Sequence, residues 1–202
     1  MKKNIILFLI FLILSNFSLA CDKEDFLKFV SAGKKKCIAL QTIGKIERNK
    51  KNLIIFLHGD LSSGAKPPGK KGYWKLGNEL LSDNVNFFFL ARPGYTLDSG
   101  RKSYGSYKET RKAKTNYKWE KLELVAKAAQ NLKEHYNANN LIMIGHSGGA
   151  LTSAIINSRV PKLIDKSILI SCPCDFEKWR KMRGESVYKM KTSPHKNISG
   201  IS

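Results

Sequence analysis

The stretch Leu141-Ile142-Met143-Ile144-Gly145-His146-Ser147-Gly148-Gly149-Ala150-Leu151 passes from four apolar residues through a G-x-S-x-G pentapeptide into residues that favour a helix. The apolar run reads as a strand and Ala150 to Ile156 as a helix, so the pentapeptide falls where the chain must turn sharply from one into the other. At such a corner the serine takes a strained backbone conformation, and side chains on its neighbours would strike the adjoining strand and helix. Glycines at 145, 148 and 149 meet that requirement. Ser147 is then pushed out at the turn, where a nucleophile has to be.

Outward from that corner, Leu53 to Leu57 is a continuous apolar run that reads as a strand covered on both faces, and Val85 to Leu90 reads as a second buried strand. Cys37 to Ile43 and Ser167 to Ile170 read as further strands. Tyr73 to Leu81 reads as a helix, and so does Tyr117 to Tyr136, with Leu122, Val125, Ala129, Leu132 and Tyr136 at helical spacing. A third helix runs from the corner to Arg159. Asp22 to Val30 reads as a short helix, and Ser62 to Gly72 and Gly100 to Asn116 as loops. Strands alternating with helices specify an α/β domain with a mostly parallel sheet flanked by helices. With 202 residues and no internal repeat, the chain holds one such domain.

Residues 1–20 stand apart from it. Lys2 and Lys3 precede the apolar run Ile5 to Leu14, with small residues at Ser18 and Ala20, the pattern of a cleaved export signal. The domain is then residues 21–202, periplasmic or secreted. Membrane attachment through Cys21 or through an uncleaved leader is the secondary reading. An even number of cysteines suits an oxidising compartment: a Cys21–Cys37 bridge is easy to close, whereas one from Cys172 to Cys174 would span a single rigid Pro173, so those two read as free thiols. A C-x-C pair alone is a poor zinc signal, and neither metal nor cofactor is expected.

The formal charge is +20, from 36 Lys and Arg against 16 Asp and Glu. The lysines are spread along the whole chain. The clusters Lys34-Lys35-Lys36 and Lys70-Lys71 lack interleaved stacking aromatics, which speaks for a solvated surface and against nucleic acid. An anionic membrane surface is kept as a peripheral partner. Gly64 to Lys71 approaches the phosphate-loop pattern but puts Lys71 where a hydroxyl should hold magnesium, and two prolines where amides are needed.

Four motifs taken in order, His58-Gly59-Asp60, Arg92-Pro93-Gly94-Tyr95, Gly145 to Gly149 and Ser171-Cys172-Pro173-Cys174-Asp175, each after a strand, resemble the α/β-hydrolase superfamily of serine esterases, lipases and peptidases. The resemblance implies that Ser147 attacks the carbonyl of a small ester, thioester or peptide-like acyl substrate. The oxyanion would be held by the N–H of Gly148 and a second one from Asp60 or Leu61. A carboxylate beside that hole would be repulsive, so Asp60 is expected to turn its side chain away. His146 reads as a packing residue of the corner and His135 as exposed on its helix.

Acid and base should come later in the chain. Asp175 follows a strand, and His195 lies in the polar stretch Thr192 to Asn197, with no apolar strand to place it. Only 55 residues follow Ser147, and the sequence reads as stopping before the final strands of a complete hydrolase. A working Ser147, Asp175, His195 triad therefore competes with an inactive remnant or envelope-binding domain that keeps only sheet and corner.

Overall fold

The computed structural model describes residues 25–60, 70–110, 116–187 and 190–196. The leader, Cys21, Leu61 and most of the 62–72 loop lie outside the described residues. In chain order the elements are β1 (Phe29–Ser31), β2 (Cys37–Ile43), β3 (Asn52–Leu57), α1 (Lys70–Glu79), β4 (Val85–Leu90), α2 (Tyr107–Thr110), α3 (Trp119–His135), β5 (Asn140–His146), α4 (Gly148–Arg159), β6 (Lys166–Ile170), α5 (Phe176–Met182) and a closing 3-10 turn at Pro194–Lys196.

The strands form one sheet in the order β1-β2-β4-β3-β5-β6. β4, β3, β5 and β6 run parallel, and β1 and β2 are antiparallel to their neighbours, so the sheet is mixed and mostly parallel. The continuous apolar runs follow from burial on both faces. Leu53, Ile55 and Leu57 of β3 join Leu122, Val125, Leu132, Leu151 and Ile155 of α3 and α4 in one core, while Ile54 and Phe56 join Phe87, Phe89 and Ile144 on the opposite face. Tyr73, Trp74, Leu76 and Leu80, on and just after α1, close that second core.

The register decides where a site can form. Leu57 of β3 lies opposite Leu90 of β4 and Gly145 of β5, so the three central strands end within one residue of each other. His58, Ala91 and the Ser147 corner therefore leave the sheet side by side, at the carboxyl ends of the parallel strands.

The helix read at Asp22 to Val30 is absent from its described part. The Asp25 carboxylate accepts the N–H groups of Leu27, Lys28 and Phe29, which bends the chain, and Val30 then pairs with Ile38 at the sheet edge. α1 begins at Lys70, inside the stretch read as loop, and α2 interrupts the basic loop after Gly100. His135 is half-buried and stacked on Phe26, ring centroids 3.6 Å apart, rather than exposed. Among the described residues no helix is long and apolar enough to cross a membrane.

β6 forms the far edge, paired only with β5 among the described residues. Ile168, Leu169 and Ile170 are 49%, 39% and 38% exposed. An apolar edge of this kind is a template for association. The purified chain should therefore show concentration-dependent self-association in sedimentation velocity, and Ile168→Lys should suppress it. A monomer at all concentrations would contradict this.

Candidate active site

The corner between β5 and α4 is built by close approach. A Cβ on Gly145 would lie 2.5 Å from backbone atoms of Gly149 and Ala150. One on Gly149 would collide with the carbonyl oxygen of Leu57 and sit 2.6 Å from that of His58. The first turn of α4 thus crosses directly over the end of β3, and only glycine fits there. Ser147, between them, has φ 51° and ψ −116°, a conformation costly for a residue with a side chain. Its N–H donates to the carbonyl of Ile170, the last residue of β6, at 2.8 Å. The side chain does not cap α4, and Ser147 is half-buried.

Gly59 brings the loop after β3 to the serine: a Cβ there would lie 3.2 Å from Ser147 Cβ and 3.1 Å from His146 Nδ1. His146 packs on this side with Nδ1 3.1 Å from the Tyr73 hydroxyl, a packing position rather than a second base. Gly148, as the first residue of α4, has an N–H with no acceptor within the helix. Gly148 and Asp60 of the expected oxyanion donors flank the corner. The alternative, Leu61, lies outside the described residues.

The Asp60 side chain does not turn away. A Cβ on Gly148 would be 2.7 Å from Asp60 Oδ1 and would overlap the Tyr117 hydroxyl, so the carboxylate packs directly on the corner. Its charge is met by partners the sequence reading did not assign. Oδ1 accepts from Arg92 Nη2, the Tyr95 hydroxyl (3.1 Å) and Asn116 Nδ2 (3.0 Å), and Oδ2 accepts from the Tyr117 hydroxyl. Arg92 is 3% exposed, and its Nη1 reaches Thr152 Oγ1 on α4 at 3.4 Å. Burial would raise the Asp60 carboxyl, but the Arg92 charge and the bonds from Tyr117, Arg92 and Tyr95 outweigh it and hold it below the usual carboxylate range. Burial would likewise discharge Arg92, and Asp60 overrides that. Tyr117 is pushed well up by burial and then by Asp60, so it remains a donor.

His58 is fully buried beneath this loop. Its Nε2 accepts the backbone N–H of Arg92 (3.1 Å) and its Nδ1 donates to Gly59 O (2.7 Å), which fixes the neutral ring as a strut rather than a base. Burial, followed by the nearby Arg92 charge, lowers it to about 3.

On the other side of the corner the structure brings Asp175 and His195 together. Asp175 caps α5, accepting the N–H of Lys178 (3.1 Å), and its Oδ1 is 3.7 Å from His195 Nδ1. The segment carrying His195 is tied down by polar contacts. The Ser193 hydroxyl sits between the Cys174 carbonyl (3.3 Å), the Phe176 N–H (3.4 Å) and His195 Nδ1 (2.8 Å). Thr192 Oγ1 donates to Tyr117 O at 3.2 Å, and the 3-10 turn packs against α4, the helix that Ser147 begins. His195 is therefore a placed residue, and Ser193, unremarked in the sequence, places it.

Cys172 and Cys174 are not free thiols. They form a disulfide with Cα atoms 5.1 Å apart, inside the ordinary range for such a bridge. Cys37 is disulfide-bonded as well, and the expected partner Cys21 lies outside the described residues.

No family model matches the chain, and no curated protein matches it. Solved structures do. Est1E from Butyrivibrio proteoclasticus, with ferulic acid bound, superimposes with a TM-score of 0.58 at 15% identity, covering 83% of this chain and 60% of that one. The thioesterase domain from the curacin biosynthetic pathway gives 0.52 at 20% identity over 73% and 44%. An esterase of Pyrococcus furiosus gives 0.51 at 20% identity over 74% and 53%. The chain spans about half the length of these structures and has their α/β-hydrolase fold, as the four motifs implied.

Two outcomes follow from the packing. Gly149→Ala should cost about 3 kcal/mol or more in urea unfolding, since its methyl would meet main chain that cannot step aside; a change below 1 kcal/mol by the same principle would refute the close crossing. A histidine held neutral when folded takes up its proton only on unfolding. Stability should therefore be intact above pH 6.5 and fall toward pH 3, with His58 contributing a slope of about 1.4 kcal/mol per pH unit. Asp60 adds loss in the same direction at the acid end of that range. His58→Asn should flatten the slope between pH 6 and 4.5, measured by urea unfolding at each pH.

Proposed function

We propose that this protein is a serine hydrolase that cleaves a small ester, thioester or peptide-like acyl bond, with Ser147 as nucleophile. The observation that carries the reading is the backbone of Ser147, strained between a parallel strand and a helix that glycines allow to pass within touching distance. A conformation of this cost persists where the surrounding structure enforces it, and such positions gather at working sites. The Asp175–His195 pair supports the hydrolase over the remnant, because acid and base are close, in the required chain order, beside the helix that starts at the serine. The leader-like residues 1–20 support export to the periplasm or the medium.

In this mechanism His195 takes the proton of Ser147 Oγ as that oxygen bonds to the acyl carbon. Nδ1 of His195 faces Asp175 and Ser193, which leaves Nε2 to act as the base. The carbonyl becomes an oxyanion held by N–H groups of Gly148 and of the Gly59–Asp60 segment. Collapse expels the alcohol, thiol or amine with the proton from His195. Water, deprotonated by the same ring, then releases the acid and restores the serine.

Wild type should be labelled by a fluorophosphonate and hydrolyse p-nitrophenyl acetate. Ser147→Ala should abolish labelling and lower kcat by roughly 10⁴-fold or more, and His195→Asn should cost about as much. Asp175→Asn should cost roughly tenfold to a hundredfold less than either. Absence of labelling in the folded wild-type chain, or hydrolysis that survives Ser147→Ala, would overturn the proposal.

A further inference from the structure

The pair Asp60–Arg92 is not needed to explain the fold and takes no part in the steps above, yet it joins two of the four motifs at the corner. Arg92 is attached to the loop after β3 twice: its backbone N–H donates to His58 Nε2, and its guanidinium bonds Asp60. It is attached to the corner as well, since Thr152, which receives its Nη1, donates to Gly148 O at 2.9 Å. Tyr95, from the same motif, adds a second donor to Asp60. Asp60 itself is the group most in need of such support. Its carboxylate packs on Gly148, where negative charge would oppose an oxyanion, and its side chain remains 41% exposed.

We propose that Arg92 is a positioning residue that clamps the His58-Gly59-Asp60 loop onto the Ser147 corner and cancels the Asp60 charge there. The buried guanidinium stays charged, so the cancellation is permanent over the working pH range. The other groups facing Asp60 are the hydroxyls of Tyr95 and Tyr117 and the amide of Asn116, all neutral donors, with neutral His58 behind the loop. Only Arg92 supplies a compensating positive charge among these groups. An uncompensated carboxylate would weaken the very donors that the loop brings to the serine, which rests on the hydrolase reading. The clamp itself does not rest on that reading.

The test compares Arg92→Met, which keeps bulk and removes charge, with the double variant Asp60→Asn/Arg92→Met. Arg92→Met should lower kcat for p-nitrophenyl acetate about 100-fold with KM changed less than about threefold, the size of losing an oxyanion donor. Its acid limb should move to higher pH, because Asp60 then keeps only the bonds from neutral donors against its burial. The double variant should recover at least about tenfold of kcat over Arg92→Met and lose the displaced limb. Tyr117→Phe, milder and nearly isosteric, should give a smaller loss of the same kind even if Arg92→Met does not fold.

The stability arm stands apart from turnover. Hydrogen exchange at residues 58–60 should accelerate in Arg92→Met while β3 and β5 stay protected, and the acid limb of urea unfolding should shift up and return in the double variant. Equal loss of activity in single and double variants, or unchanged local exchange and pH dependence, would overturn the clamp. Inert wild type with these stability shifts would sink the hydrolase reading and leave the clamp standing.

Discussion

Everything at the carboxyl end of this sheet depends on how closely α4 crosses β3. Between Gly149 and the carbonyl of Leu57 there is no room for a methyl group. That contact forces the strand-to-helix turn to be tight, and the tightness holds Ser147 at a positive φ. The N–H of Ser147, redirected by the same turn, meets the carbonyl of Ile170 and ties β6 to the corner. One steric constraint thereby fixes the serine, the helix axis and the strand from whose end Asp175 departs.

The nearly level strand ends convert that local constraint into a site. Because Leu57, Leu90 and Gly145 are level in the sheet, the loops after β3, β4 and β5 meet without long excursions. The loop after β4 contributes Arg92 and Tyr95 to the loop after β3, and Tyr117, at the approach to α3, reaches the same carboxylate. A buried guanidinium is tolerated when its charge is matched, and here Asp60 matches it while the Tyr95 and Tyr117 hydroxyls donate to the same carboxylate. The result is a rigid polar layer next to a strained backbone, and rigidity there prevents the strain from relaxing.

What the sequence displayed well was whatever rests on periodic burial. Val85 to Leu90 is read to the residue because both faces of β4 are covered and every position but Asn86 is apolar. The helix over α3 is legible for the complementary reason, one face apolar and one polar. The glycines of the corner were legible because their physical demand is local. The misreadings all concern contacts between residues far apart with no pattern to betray them. Arg92 and Asp60 are separated by 32 positions, and without that partner the sign of the Asp60 charge alone argued for a side chain turned away. His195 had no strand to place it, and it is placed by Ser193, whose contacts to Cys174 and Phe176 are polar and nonperiodic. The rigidity of Pro173 argued against a Cys172–Cys174 bridge, yet the two Cα atoms lie 5.1 Å apart, a span that a disulfide closes.

The two polar clusters flanking Ser147 differ in a way that suits different tasks. Arg92 is nearly inaccessible and its charge is matched by Asp60, so in the proposed hydrolase the pair would present a fixed electrostatic environment that costs no rearrangement during reaction. The Asp175–His195 pair keeps 42% and 32% of its side chains exposed and owes its order to hydrogen bonds rather than burial. In the proposed mechanism, a base that hands one proton to a leaving group and draws another from water would gain from that openness, whereas donors that meet a developing charge would gain from enclosure. The division follows from topology: the oxyanion side lies between central strands covered on both faces, and the acid–base side follows β6, whose residues are open to solvent. In the proposed hydrolase, the openness of that edge would leave the histidine within reach of water.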